Sequence, residues 1–143
     1  MEESHKVIQI KNSLDKSKQA LSDAEYNYKD GRYATVLNRI YYSIFYSVLA
    51  LAHKEGFSTS SHSQLMGWFN KKFIYEEKVF EPKLNDIYKH AYKERQESDY
   101  DILTSGEIPD EYVSQALEKA KLFINTVEEF IRKNNIDIDK KEA

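Results

Sequence analysis

Residues suited to chemistry stand at places in this sequence where apolar side chains would be expected. A stripe of Leu84, Tyr88, Ala91, Arg95, Asp99 and Ile102 advances in steps of three and four, so one face of a helix carries all six. Two of them, Arg95 and Asp99, are ionisable groups at core-facing positions. Asn38 and Arg39 interrupt a second, otherwise apolar segment, with Tyr42, Ser43 and Tyr46 one or two turns further on. Charges inside a bundle are costly unless they are paired and hydrogen-bonded. One reading is an internal pair, Arg39 with Asp99 or Arg95 with Asp99 at i,i+4 spacing, that only fixes helix register. The other is an inward-facing pocket of Arg, Asn, Asp and Tyr that holds a phosphate or a base. Arginine suits it because its planar fork grips phosphate through two hydrogen bonds.

Histidine adds one more candidate. His62 sits at a helix start between Ser61 and Ser63, foremost a surface or capping position, where backbone N–H groups would also attract an anion. His5 and His53 read as surface residues near helix ends. His90 precedes Arg95 by five residues and therefore points about 140° away from it. No two histidines have metal-ligand spacing on a common face, and no carboxylate cluster resembles a magnesium site. No glycine-rich phosphate loop and no serine or cysteine nucleophile motif is present. A carboxylate-bridged metal pair would need the paired Glu-x-x-His signature of such bundles, which is missing. Neither a metal nor a cofactor is expected.

The elements that must hold these groups are helices. Val7, Ile10, Leu14, Ser17, Leu21, Ala24 and Tyr28 form one stripe, which Asp30-Gly31 ends. Tyr33–His53 is apolar on nearly every side and ends near Gly56; a helix greasy all round belongs in the middle of a bundle. Ser61 and Gln64 have capping-box spacing for a third, short helix, with Leu65, Trp68, Phe69 and Phe73 on its buried face. Pro82 is placed as the first residue of a fourth helix. Gly106 and Pro109 mark the break before a last helix striped by Tyr112, Ala116, Ala120, Phe123, Val127 and Phe130. The tyrosines at 41, 42, 46, 88 and 92 lie on helical stripes, and most read as core residues whose hydroxyls reach the surface in preference to base-stacking groups. The expected fold is an all-α, up-and-down bundle of four to five helices over residues 1–135. A charged, flexible tail (IDIDKKEA, 136–143) follows.

Composition agrees. The chain has 143 residues, enough for one domain that buries roughly 68–70% of its unfolded surface. Two prolines and four glycines leave long stretches free of breakers, and no cysteine is available for disulfides or thiolate metal sites. No apolar run approaches the roughly 20 residues that span a bilayer, and the amino terminus lacks a signal-peptide core, so a cytoplasmic protein is expected. The net charge of −3 argues against sequence-blind binding to long duplexes. It is unevenly spread: residues 1–95 carry 15 Lys and Arg against 12 Asp and Glu, and the remainder 6 against 12. A mildly basic front portion allows a small anion site.

The pattern resembles the HEPN family (higher eukaryotes and prokaryotes nucleotide-binding domain), in its branch of short stand-alone prokaryotic proteins. GRYATVLNRIYYSIFYSVLAL (31–51) matches that branch's "NRxYYxxF" helix, and SHSQLMGWFNKKFI (61–74) its "HSG…F…F" helix. ERQESDYD (94–101) matches "RxxxDY", and residues 112–131 match its closing "A…F" helix. The resemblance covers about residues 14–133 with order and spacing preserved. It implies a homodimer with a polar pocket near the dimer cleft, often paired with a small nucleotidyltransferase as toxin and antitoxin. Active members are metal-independent ribonucleases with an R-x(4–6)-H motif, in which arginine binds the scissile phosphate and histidine moves protons. Arg95 matches the motif arginine, but no histidine stands four to six residues on; Asp99 and Tyr100 occupy that region. The resemblance thus casts Arg95, Asp99 and Tyr100 as catalytic candidates, Tyr100 also as a conceivable adenylylation target. Asn38, Arg39 and Tyr42 match the polar positions of the second helix and, with His62, are the ligand-binding candidates. The expected function is RNA or nucleotide binding by a toxin-like HEPN protein with weak or absent ribonuclease activity. The alternative is a non-catalytic helical dimerisation module whose Arg/Asp cluster is structural.

Overall fold

The computed structural model describes the backbone of residues 2–101 and 108–134, and the side chains of residues 5–95 and 108–134. Within these residues the protein is all-α, an up-and-down bundle. Its helices are α1 (Glu2–Lys29), α2 (Tyr33–Glu55), α3 (His62–Phe69), α4 (Pro82–Asp101) and α5 (Asp110–Asn134), with a π-helical segment, Asn70–Glu76, continuing α3.

Both long helices at the start end in the same way. Gly31 and Gly56 adopt left-handed φ angles of 75° and 76°. At the first end, Arg32 N–H reaches back to the Asn27 carbonyl (2.9 Å) and Gly31 N–H to that of Tyr28 (3.1 Å). At the second, Phe57 N–H reaches the Ala52 carbonyl (2.9 Å) and Gly56 N–H that of His53 (3.4 Å). This is the Schellman arrangement, which satisfies carbonyls that a helix end leaves without partners.

α2 is the centre. It packs against α1, α3, α4 and α5, and Val36, Tyr41, Ile44, Val48 and Leu51 along it are buried completely. Small residues let α1 come close: Ser13, Ser17, Ala20 and Ala24 face inward, and the Ser17 hydroxyl donates to the Ser43 carbonyl at 2.6 Å. An aromatic core fills the other side. Phe69 contacts Phe73, Phe80, Tyr88 and Phe123 with ring centroids 5.5–5.9 Å apart, a separation at which aromatic pairs attract. The π-helical segment was not anticipated. Within it the consecutive residues Phe73 and Ile74 are both buried.

Three expectations need correction. The buried face of α5 is Val113, Leu117, Ala120, Phe123, Ile124, Val127 and Ile131, whereas Tyr112 is exposed and Ala116 and Phe130 are only half-buried. The predicted stripe had the right period and a phase off by about one residue at each end, because large aromatics were favoured over Val, Leu and Ile. Tyr88 is also not a core residue with a surface hydroxyl: its oxygen is buried and has no hydrogen-bond partner. His53 is half-buried rather than a surface residue. Gly106, Ile102 and the tail 136–143 lie outside the described residues.

Candidate functional site

α2 carries the floor of the site on one face. Asn38, Arg39, Tyr42, Phe45 and Tyr46 recur at the three- and four-residue steps that bring side chains together on a helix, and Tyr41 stands one position back toward the core. Arg39 is half-buried. Its Nε and Nη2 donate to Asn38 Oδ1 at 3.2 and 2.9 Å, and its guanidinium lies 5.1 Å from the centre of the Tyr42 ring. These partners are neutral, and among the described residues no carboxylate pairs with Arg39. The predicted Arg39–Asp99 and Arg95–Asp99 pairs fall on a side chain outside the described residues, as does Tyr100.

α4 brings Arg95 to the same ring. Its guanidinium stands 5.2 Å from the centre of Tyr42 and 5.3 Å from that of Tyr41, and Nη2 donates to the Tyr42 hydroxyl at 3.0 Å. The buried stripe of Leu84, Tyr88 and Ala91 sets this rotation of α4 and so aims Arg95 at α2. His90 points elsewhere, as the helical spacing requires, contacting Tyr112 at 3.2 Å and Glu94 at 3.6 Å.

The third contribution comes from α3. Ser61 caps that helix, its Oγ accepting from Gln64 N–H at 3.2 Å. The Gln64 side chain does not return to the Ser61 N–H as a full capping box would. Thr59 stands between them: its Oγ1 accepts from Ser61 N–H (3.1 Å) and its hydroxyl donates to Gln64 Oε1 (2.7 Å). The polar stretch before α3 thus pins the first helical residue, His62. The imidazole stacks on Phe45 with centroids 4.3 Å apart, and Nδ1 shares a hydrogen bond with the buried Tyr41 hydroxyl at 2.9 Å. Burial and the nearby Arg95 charge both push the His62 pKa down, so the ring is neutral near pH 7. Burial drives the Tyr41 phenol far up, against the pull of Arg95, so its hydroxyl stays protonated.

The structure therefore gathers Asn38, Arg39, Tyr42, His62 and Arg95 around an aromatic patch. Sequence reasoning missed Tyr41 and Phe45 as the groups that seat His62; the i,i+4 pair of aromatics on α2 was the available signal. It also missed Glu94, which is buried on the far side of α4. Glu94 and His90 border a separate cleft of about 360 Å³ between α2, α4 and α5, walled by Ile40, Ile44, Ile87 and Ala91. Among the described residues no three His, Asp or Glu side chains gather as metal ligands.

A HEPN domain profile matches residues 10–131, from the first turns of α1 to the end of α5. The chain belongs to the HEPN family. It is similar to a Thermotoga maritima protein named UPF0332 protein, 33% identical over 131 residues that make up 92% of this chain and 96% of that one. It is also similar to a Methanocaldococcus jannaschii protein named as a "putative toxin", 30% identical over 128 residues, 90% of this chain and 85% of that one. The arginine and tyrosine cluster of this HEPN chain lies wholly within the matched region.

Proposed function

We propose that the protein is a toxin-like HEPN module that binds RNA or nucleotide through phosphate held between Arg39 and Arg95. The single observation that carries this reading is the half-buried Arg39 guanidinium, held among the described residues by an amide and a ring, with a second guanidinium on the same tyrosine. Two guanidinium groups beside one ring offer an anion two charged donors, and aromatic faces nearby suit a base. Family membership and the toxin-named relative support the biological role. On this reading the working unit is a cytoplasmic homodimer paired with a nucleotidyltransferase antitoxin, and ribonuclease activity is weak or absent.

The test is to express the chain and its Arg39→Ala and Arg95→Ala variants, then follow growth arrest, RNA integrity and binding of a short RNA. Loss of at least tenfold in affinity in each variant, with folding retained, is expected. A parent that neither binds RNA nor nucleotide, nor harms cells, would remove this reading.

One observation favours a purely structural role. Arg95 bonds to Tyr42 and lies against Tyr41, a clamp between α4 and α2 that needs no ligand. That alternative predicts a sharp fall in melting temperature for Arg95→Ala and no thermal shift of the parent with RNA, since ligands that bind only the folded state raise its apparent stability.

A further inference from the structure

His62 is held as a group with one hand fixed and the other open. Nδ1 is engaged by Tyr41, the ring is stacked on Phe45 and only half-buried, and among the described residues Nε2 has no hydrogen-bond partner. The groups facing it are Tyr41 and Tyr42 from α2, Arg95 from α4, and Ser61 and Ser63 beside it on its own segment. Phenol is the stronger donor of the Tyr41–His62 pair, so the neutral ring accepts at Nδ1 and carries its hydrogen on Nε2.

We propose that His62 is the proton-carrying residue of the arginine site, taking up one proton as a phosphodiester docks beside Arg95 and donating to it from Nε2–H. This rests on the phosphate-binding reading above and adds to it a residue, a ligand class and a proton. The balance is simple. Free His62 is neutral; on docking, a proton from solvent adds at Nδ1, the Tyr41 oxygen turns from donor to acceptor, and no covalent bond to phosphorus changes. The cause is electrostatic. Arg95 disfavours a charged imidazole, and an anion seated between them reverses that effect. A group more basic in the complex than in the free protein must bind a proton with the ligand, so affinity falls as pH rises between the two pKa values.

The experiment is calorimetric titration of the full chain with a 2′-O-methyl RNA decamer bearing hydroxyl ends. Its diesters do not titrate near neutrality and cannot be cleaved through the 2′ position. Heats measured at pH 7 in buffers of different ionisation enthalpy count the protons taken up. The parent should take up a substantial fraction of one proton per site, with affinity falling by up to about tenfold per pH unit above neutrality. His62→Gln, which keeps an N–H but cannot titrate, should still bind, more weakly, with that uptake gone and a flat pH profile. Tyr41→Phe should weaken binding without abolishing uptake. Binding by the parent with no uptake, or uptake unchanged in His62→Gln, overturns the role of His62 while leaving the arginine site standing. Absence of binding by the parent overturns both. Melting curves of the variants confirm that they are folded.

Discussion

Arg39 on α2 and Arg95 on α4 stand 56 positions apart in the chain, yet their guanidinium groups lie 5.1 and 5.2 Å from the centre of one ring, that of Tyr42. Contact with the ring offsets part of the cost of desolvating each cation. Its hydroxyl also accepts from Arg95. Tyr42 is therefore the organiser of the site.

Two substitutions at this ring separate its roles. Tyr42→Phe keeps the face and removes the hydrogen bond, and should lower stability by about 1 kcal/mol with a few-fold loss in RNA affinity. Tyr42→Leu removes the face as well and should weaken binding further than Phe does. Urea midpoints and binding isotherms measure the two effects. Equal affinities for the Phe and Leu variants would mean that the ring face contributes nothing.

Tyr88 behaves in the opposite sense. Its hydroxyl is buried without a partner, and burial pushes its pKa well above the ordinary phenol value. An unsatisfied buried hydroxyl costs roughly 1–3 kcal/mol, so Tyr88→Phe should leave stability unchanged or raise it by about 1 kcal/mol. A clear drop in melting temperature would contradict the orphaned hydroxyl.

The end of α2 depends on backbone conformation. Gly56 holds φ at 76° with nothing near a Cβ built on it, so space is not the constraint. Gly56→Ala should nevertheless cost about 1 kcal/mol, because a side chain disfavours the left-handed region. Denaturant unfolding of that variant against an exposed Lys78→Ala control is not a clean comparison, since Lys78 itself has φ of 50°; Lys71→Ala is the suitable control.

Acid should loosen the seam between α1 and α5. Glu128 accepts from Lys18 at 2.6 Å and from Arg132 at 2.9 Å. Burial pushes its pKa up, but the two cations outweigh that and hold it below the ordinary carboxylate value. A depressed folded pKa gives stability that is present above the unfolded value and lost as pH falls through the folded one. Glu128→Gln should therefore destabilise the protein at pH 7 and much less near pH 3. Melting temperatures that shift equally at both values would exclude the mechanism.

Much of the architecture was legible residue by residue. Gly31, Gly56, Ser61 and Pro82 stop and start helices through their own backbone preferences and nearby hydrogen bonds, which act within about six residues. The stripe of α1 and the all-apolar α2 followed from composition and period alone. The phase of α5 did not, because Tyr112 and Val113 fit a three-and-four pattern equally well, and only packing against α2 decides which faces in. Nor did the widened turn at 70–76, for which no Gly, Pro or other local breaker stands in the segment NKKFIYE.

The candidate site divides in the same way. Its residue types, Asn38, Arg39, Tyr42, His62 and Arg95, stand out locally as polar groups on apolar stripes or at a helix start. Their meeting does not. Whether Arg95 and His62 reach the same pair of tyrosines depends on how three helices are rotated about their axes, and that rotation is set by side chains packed from distant parts of the chain. Local residues carry the α-helices, their caps and the family pattern, whereas which charges share a ring is fixed by packing, because contact between helices is a property of the whole core and periodicity is a property of one segment.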